Sequence, residues 1–188
     1  MESSINLRVM SANRSGSSSQ NLKECYCCGM SESLDRQRMA CWRAYIESSQ
    51  RLFTQLEDDL RADSELTFAD YHVLVLLSEA PGQRLRMGEL ASRLVFSPSR
   101  LTYQITTMQK RGLVAREACP VDRRGSEAVL TAAGLLALRE AAPHHLRSVR
   151  THLMDDLDDT EVACLTRVFE RLGRRLRADR DASVTPSE

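Results

Sequence analysis

The segment from Ser97 to Thr131 constrains the fold of this 188-residue chain more than any other. Ser97 is a favourable N-cap, and Pro98 lacks the N–H that the first helical position leaves unpaired, so a helix is predicted to begin here. Gly112 is a typical residue for the end of that helix. Between these ends the apolar residues recur at helical spacing, at Leu101, Ile105 and Met108. The pattern predicts a helix with one buried face and one polar face.

A β-hairpin is predicted directly after this helix. The hydrophobic pattern changes to period two, so that residues 113–116 and 128–130 are expected to form strands around a turn at 119–126. The turn contains the sequence Asp122, Arg123, Arg124 and Gly125. An arginine at a hairpin tip can enter the minor groove of duplex DNA, where narrow segments concentrate negative potential.

A second short amphipathic helix precedes Ser97, separated from the first by only three residues. Its apolar positions are Met87, Leu90, Ala91 and Leu94. This is the spacing of a helix-turn-helix, whose second helix lies in the major groove and reads base edges. The candidate DNA-binding residues are therefore those of the second helix's polar side and of the hairpin tip. They are Ser97, Ser99, Arg100, Thr102, Tyr103, Thr106, Lys110, Asp122, Arg123 and Arg124.

Charge is segregated along the chain although the net charge is zero. Residues 84–124 contain nine Arg or Lys and three acidic residues, so this window carries +6 and the remainder −6. A local basic patch of this kind can bind phosphates while the rest of the surface stays acidic. The alternative interpretation is a solvated charged face, but such a face rarely coincides with a helix-turn-helix and a cationic hairpin.

Long amphipathic helices are predicted at both ends of this region. The N-terminal stripe comprises Trp42, Tyr45, Ile46, Ser49, Leu52, Phe53, Leu56 and Leu60. The C-terminal stripe comprises Ala163, Leu165, Val168, Phe169, Leu172 and Leu176, after a capping box of Asp158 and Glu161. An apolar stripe on a helix is buried either in the core of its own chain or in a dimer interface. The small DNA-reading domain does not require either helix for its own core, which makes a dimer interface possible.

Two further helices complete the predicted fold. Thr67 caps a helix that is apolar on nearly all sides and is expected to be the central core helix, with Asp70 at the matching capping position. Thr131 begins a long helix in which Pro143 is expected to cause a kink near Ala141. We hypothesise that this kink sets the position of the DNA-reading domain.

The segment from about Leu34 to Arg177 resembles a MarR-family winged helix-turn-helix transcriptional regulator. The resemblance is carried by the D-R-R-G sequence, by Leu130 and Thr131, and by Gly134. It implies a mainly α fold with a small β-hairpin wing (α+β) and long N- and C-terminal dimerisation helices. It also implies that Asp122 braces the wing and that Arg123 or Arg124 reaches the minor groove. One departure is Gly88, where relatives commonly carry a Ser cap, although Gly is tolerated as an N-cap.

The function that the resemblance implies is that of a homodimeric, ligand-responsive repressor on a pseudo-palindromic double-stranded DNA operator. Members of the family bind small, often phenolic or anionic inducers between the dimerisation helices and the winged domain. The candidate residues for such a pocket are Arg43, Tyr45 and His72. His72 is predicted to be a core or pocket-edge residue, and His144, His145 and His152 are predicted to lie on the surface.

Cys41 suggests an alternative, a thiol-based redox-sensing regulator. Peroxide-sensing members of the family carry a reactive cysteine on the equivalent first helix. The tyrosine that those sensors place near the start of the second helix is replaced here by Phe68, so a small buried thiol is the favoured interpretation. Oxidation through Cys41 remains the alternative.

The remaining sequence excludes other classes. Residues 1–33 show no periodicity and are expected to be disordered, with Met30 a candidate translation start. Cys25, Cys27 and Cys28 lack the spacing of a metal site, and neither metal nor cofactor is expected. There is no membrane-spanning run and no catalytic motif, so a cytoplasmic protein without enzymatic activity is predicted. A winged helix that binds only proteins is disfavoured by the basic hairpin tip.

The expected segments are a disordered extension at 1–33, a dimerisation helix at 34–64, the winged region at 65–131, dimerisation helices at 132–178 and a disordered tail at 179–188.

Overall fold

The structure, a computed structural model, describes residues 35–119 and 125–184 and divides the chain into two units, Met1–Ser48 and Ser49–Glu188. Its elements confirm a mainly helical fold with a small antiparallel sheet. In chain order they are α1 (Arg36–Asp63), α2 (Phe68–Glu79), β1 (Arg84–Arg86), α3 (Met87–Leu94), α4 (Pro98–Lys110), β2 (Val114–Ala118), β3 (Ser126–Leu130), α5 (Ala132–Val149) and α6 (Asp159–Val184).

The described part of the first unit is the N-terminal half of α1. None of its residues from 35 to 48 is buried. The rings of Trp42 and Tyr45, three residues apart on the helix, lie with their centroids 6.1 Å apart. Cys41 is exposed, so the prediction of a buried thiol is wrong for the single chain.

The core of the second unit is built around α2, as the sequence predicted. The capping box at its start is present, because the Asp70 N–H donates to Thr67 Oγ1 over 3.1 Å and the Thr67 N–H donates to Asp70 Oδ2 over 3.0 Å. The helix buries apolar side chains on several sides, which explains why it shows no amphipathic stripe. The largest fully buried apolar side chains of the core are Leu60, Val73, Leu74, Leu77, Leu90, Leu101, Ile105 and Met108.

The sheet has three strands in the order β1-β3-β2, and both pairings are antiparallel. In the predicted hairpin, Val114 pairs with Leu130 and Ala118 with Ser126. Strand β1, which the sequence does not predict, pairs Arg84 with Val129 along the other edge of β3. A strand of three residues is too short to show period-two alternation. It is defined by its pairing with β3, which its own sequence does not reveal.

The helix-turn-helix consists of α3 and α4. The prediction of Gly88 as an N-cap is wrong: α3 begins at Met87, and its N-cap is Arg86, which makes no side-chain capping bond. The helix ends at Leu94, and its C-cap, Val95, has the left-handed conformation (φ 57°, ψ 36°). The Phe96 N–H donates to the Ala91 carbonyl over 2.9 Å and closes the turn before α4.

Helix α5 leaves the sheet at a close backbone contact. Thr131 caps the helix by accepting a hydrogen bond from the Gly134 N–H over 3.0 Å, and its hydroxyl donates to the Leu113 carbonyl over 2.9 Å. Pro143 lies inside α5 but does not end it, and the helix continues to Val149. One π-helical turn, Arg150–Met154, follows directly.

Helix α6 begins with the predicted capping box. The Glu161 N–H donates to Asp158 Oδ1 over 2.8 Å, and the Asp158 N–H donates to Glu161 Oε2 over 3.0 Å. The helix extends to Val184, so residues 179–184 are helical and the expectation of a disordered tail from residue 179 is wrong for them. Within residues 35–119 and 125–184, no helix is long and apolar enough to cross a membrane.

Candidate nucleic-acid interface

The N-terminus of α4 is held by local hydrogen bonds. Ser97 is the N-cap, as predicted, and its Oγ accepts a hydrogen bond from the Arg100 N–H over 3.3 Å. Its Oγ also lies 3.2 Å from Ser99 Oγ. These bonds fix the backbone of the first turn, which is the part of a recognition helix that contacts base edges.

The outward threonines of α4 bond back to their own helix. Thr102 Oγ1 donates to the Pro98 carbonyl over 2.8 Å, and Thr106 Oγ1 donates to the Thr102 carbonyl over 2.7 Å. With their protons used in this way, both hydroxyls can offer a ligand an oxygen acceptor and a methyl group. Tyr103 stands between them and is 75% exposed, and Lys110 is exposed at the C-terminus of the helix. The structure thus brings together the predicted residues of α4 on one exposed polar surface.

Arg100 lies against an aromatic ring of the preceding turn. Its guanidinium carbon is 3.9 Å from the centroid of the Phe96 ring. Phe96 is half-buried and packs against the hydrophobic core. Arg100 was predictable as a DNA-binding candidate, whereas Phe96 was not, because its contact with Arg100 depends on the path of the turn.

A buried carboxylate connects α4 to α2. Asp70 is 1% exposed and accepts hydrogen bonds from Gln104 Nε2 over 2.6 Å and from Arg111 Nη1 over 2.8 Å. Arg111 Nη2 also donates to the Glu65 carbonyl over 2.6 Å. The sequence predicted Asp70 only as a capping residue. The contacts show instead that this network, which we call the Asp70 brace (Asp70, Gln104 and Arg111), holds α4 in the middle and at its end.

Several of the basic residues counted in the sequence are paired with carboxylates. Arg84 Nη1 lies 3.3 Å from Glu117 Oε2 and 3.5 Å from Glu127 Oε2, and Arg93 Nη2 lies 2.7 Å from Glu89 Oε1. The charges of Arg84 and Arg93 are therefore partly neutralised, by two carboxylates that the count of +6 already includes, Glu89 and Glu117, and by Glu127 outside the window.

The wing is described up to its tip. Its last described contact is the hydrogen bond that the Cys119 N–H donates to the Gly125 carbonyl over 3.0 Å. Asp122, Arg123 and Arg124 lie outside the described residues, so their roles remain predictions. Cys25, Cys27 and Cys28 lie outside them as well.

The three residues predicted for a ligand pocket belong to different units. Arg43 and Tyr45 lie in the first unit and His72 in the second, so their grouping remains a prediction. His72 is exposed, which contradicts a place in the core, and its ring lies 4.7 Å from that of Phe68.

An aromatic cluster surrounds Phe68 at the start of α2. Its ring lies 5.7 Å from that of Phe53 on α1 and 5.8 Å from that of His145 on α5, and the His145 ring lies 4.4 Å from that of Tyr71. The prediction of His145 as a surface residue is therefore wrong. Its Nδ1 is buried with no hydrogen-bond partner in the described ranges, and burial lowers the pKa of His145.

A second polar cluster joins the end of α1 to α5 and the π-helical turn, beside a cavity of about 330 Å³. Asp59 accepts hydrogen bonds from Ser148 Oγ and from Gln55 Nε2 (2.7 Å), and these two bonds are the main cause of its lowered pKa. His152 Nε2 lies 3.0 Å from the same carboxylate. Because the serine bonds to the carboxylate and not to the imidazole, the three residues do not form a nucleophilic triad.

The fold and the exposed face of α4 define a winged helix-turn-helix protein. A model of the MarR family matches residues 64–125. The chain is similar to the MarR-family transcriptional regulator AbsC of Streptomyces coelicolor, with 43% identity over 77% of this chain and 97% of that one, and a TM-score of 0.73. It is also similar to Sco3205, a MarR-family regulator of the same organism solved in complex with DNA, with 36% identity over 76% of this chain and 89% of that one, and a TM-score of 0.74.

A curated relative is more distant. The HTH-type transcriptional regulator MhqR of Bacillus subtilis (strain 168) is 26% identical over 104 residues, which cover 55% of this chain and 70% of that protein. The match to AbsC covers most of both chains at 43% identity, which places this chain in the same family. The chain belongs to the MarR family of transcriptional regulators.

Proposed function

We propose that this chain is a sequence-specific regulator of transcription that binds double-stranded DNA as a homodimer and represses by occluding a promoter. The observation that carries the proposal is the exposed polar face of α4. Ser97 fixes this face at its N-terminus, and the Asp70 brace fixes it in the middle and at its end. A preorganised face of this kind can enter a major groove without reordering its own helix. A regulator that binds chromosomal DNA must be in the compartment that contains this DNA. This requirement supports a cytoplasmic location.

The homodimer follows from the surface of α6. None of its described side chains is buried, and three large apolar residues, Phe169, Leu172 and Leu176, are between 42% and 59% exposed. An apolar stripe on a helix of this length favours a helical partner. A two-fold dimer would present two α4 helices to half-sites about one helical turn apart on a pseudo-palindromic operator.

The first experiment is selection of binding sites from a pool of random-sequence DNA duplexes with the full-length chain. We expect enrichment of an inverted repeat with submicromolar affinity. Failure to enrich any duplex, in a folded and dimeric preparation, would contradict DNA binding as the function.

Two substitutions then separate the wing from the helix. Arg124→Ala is expected to weaken binding to all duplexes and to reduce the dependence of affinity on salt by about one counterion, because a wing arginine contacts the backbone or minor groove. Tyr103→Ala is expected to change which sequences are preferred. The reverse pattern would mean that the roles of wing and helix have been exchanged.

A small-molecule inducer completes the proposal. The exposed His72 beside Phe68 supports this region as one wall of a ligand site, with Arg43 and Tyr45 as further candidates. Any inducer acts through its different affinities for the DNA-bound and free arrangements. The affinity for salicylate, a phenolic anion, is measured by isothermal titration with the wild type and with His72→Ala. Weaker binding by the variant is the expected result if His72 lines the ligand site.

Redox control through Cys41 is the second candidate, favoured by the exposure of this thiol. If Cys41 is the sensor, a hydroperoxide releases the wild-type chain from its selected operator and leaves the Cys41→Ser variant bound. Release of both variants, or of neither, would exclude this residue as the sensor.

A further inference from the structure

Arg100 is the basic side chain of α4 whose position is most completely determined. Its backbone N–H is bonded to the Ser97 cap at 3.3 Å, and its guanidinium lies over the Phe96 ring at 3.9 Å. The ring itself is held, because Phe96 packs against the core and its N–H donates to the Ala91 carbonyl. Both ends of the Arg100 side chain are therefore tied to fixed parts of the helix-turn-helix.

The partners of Arg100 differ from those of the neighbouring arginines. Arg93 pairs with Glu89, and Arg111 pairs with the buried Asp70 and donates to the Glu65 carbonyl, so both guanidinium groups already have oxygen acceptors within the chain. Arg100 instead contacts an aromatic face, and its side chain is exposed. A guanidinium in contact with a ring through its face keeps its in-plane N–H groups available for another acceptor.

We propose that Arg100 reads a guanine in each half-site of the operator, and that Phe96 is the positioning residue that holds its guanidinium for this contact. The proposal rests on the proposed function of α4 as a recognition helix. Arg100 is the third residue of that helix, within the turn that faces base edges in a helix-turn-helix. In the major groove, guanine presents O6 and N7, the acceptor pair that matches the fork of an arginine.

A phosphate contact is the alternative for any exposed arginine. A phosphate accepts hydrogen bonds from many directions and does not require a fixed guanidinium, whereas a two-bond contact to one base edge does. The support that Phe96 gives to the guanidinium therefore favours base reading. The two kinds of contact predict different responses to a change in the base, which provides the test.

The test uses the full-length chain and the operator that it selects from random duplexes. Each conserved guanine is replaced in turn by 7-deazaguanine, which lacks N7 but keeps its pairing and its charge. Affinity is measured by fluorescence anisotropy at one salt concentration. At one guanine per half-site, we expect the replacement to weaken wild-type binding roughly 5- to 150-fold. With Arg100→Ala the same replacement is expected to have no effect, because the reading group is gone.

Two variants of Phe96 examine its positioning role. Phe96→Leu removes the aromatic face and is expected to reduce the penalty of the 7-deazaguanine replacement about two- to fivefold, the range of an exposed cation–π contact. Phe96→Tyr keeps the face and is expected to retain the wild-type penalty. Arg93→Ala is the control for loss of a nearby positive charge and is expected to leave the base preference unchanged. Thermal unfolding of each variant verifies that it is folded.

The outcomes separate this inference from the function on which it rests. If no duplex is selected, the proposed function fails. A second outcome is that an operator is selected while the 7-deazaguanine replacement weakens binding of Arg100→Ala as much as binding of the wild type. In that case Arg100 does not read guanine, so the inference is overturned and the proposed function stands. Equal penalties in Phe96→Leu and Phe96→Tyr would overturn the role of Phe96 alone.

Discussion

Gly134, in the first turn of α5, lies close to the backbone of Leu113. A Cβ built on this residue would lie 2.0 Å from the Leu113 carbonyl oxygen. That oxygen also accepts hydrogen bonds from the hydroxyl and the N–H of Thr131, over 2.9 and 3.3 Å. The glycine is therefore required by space rather than by its backbone angles, and it allows α5 to leave the sheet at this point.

Gly134→Ala is expected to lower the free energy of unfolding by roughly 1–3 kcal/mol, because a backbone oxygen cannot move away as a flexible side chain can. The matched control is Gly88→Ala in α3, where nothing lies within 4 Å of the added Cβ. That substitution is expected to stabilise the chain by about 0.5–1 kcal/mol, the usual advantage of Ala over Gly within a helix. Urea denaturation measures both. Similar effects in the two variants would contradict the close approach.

At the scale of elements, the Asp70 brace determines how α4 is attached to α2. Three donors converge on one carboxylate that is almost inaccessible to water: Gln104 Nε2, Arg111 Nη1 and the Thr67 N–H. A buried charge is tolerated only when such partners replace its hydration. The brace therefore links the cap of one helix to the orientation of the other.

Arg111→Met is expected to lower the free energy of unfolding by about 1–3 kcal/mol, since it leaves a buried carboxylate without its cation. The estimate is below that for a fully buried pair because the Arg111 side chain is 31% exposed. Arg93→Met removes the exposed pair with Glu89 and is expected to cost no more than about 0.5 kcal/mol. Chemical denaturation at neutral pH measures the two changes, and equal losses would argue against the brace.

The contact between α2 and α5 gives stability a dependence on pH. Burial lowers the pKa of His145 below its ordinary value of 6.5, with a smaller contribution from His72. The unfolded chain then binds a proton at a higher pH than the folded chain does. The contribution of this neutral imidazole is fully present above about pH 6.5 and is lost progressively as the pH falls below that value.

His145→Phe removes this titration and keeps an aromatic ring beside Tyr71. The difference in unfolding free energy between wild type and variant is expected to move in favour of the variant between pH 7.5 and 5.5. Because every carboxylate is present in both proteins, the difference reports the titration of His145 together with its coupling to His72. Denaturation curves at several pH values provide the measurement, and a difference independent of pH would mean that this imidazole titrates normally.

These elements differ in how far the sequence could predict them. The capping boxes at Thr67 and Asp158 were predictable, because their partners are three residues apart and depend only on local geometry. The bonds from Gln104 and Arg111 to Asp70 span 34 and 41 residues, and strand β1 pairs with a strand more than 40 residues away. Contacts of this kind depend on the packing of helices and strands, which periodicity does not report.

At the scale of the whole molecule, α6 carries an apolar stripe whose C-terminal part is exposed. Along this helix Leu165 and Val168 are half-buried, whereas Leu172 and Leu176 are exposed. The sequence predicted this stripe but left open whether it is core or interface. Its exposure favours an interface, and a dimer of the kind proposed for DNA binding would cover it.

Leu172→Glu is therefore expected to convert the dimer to a monomer, because each subunit would place a carboxylate in the apolar contact and the two-fold axis doubles the cost. Operator binding is expected to weaken at least tenfold, since the two α4 helices would no longer be linked in one complex.

The control is Arg167→Glu, an exposed position on the opposite side of α6, which introduces the same side chain without entering the stripe. Sedimentation equilibrium gives the mass, and anisotropy with the selected operator gives the affinity. A dimeric Leu172→Glu variant with unchanged affinity would place the interface elsewhere.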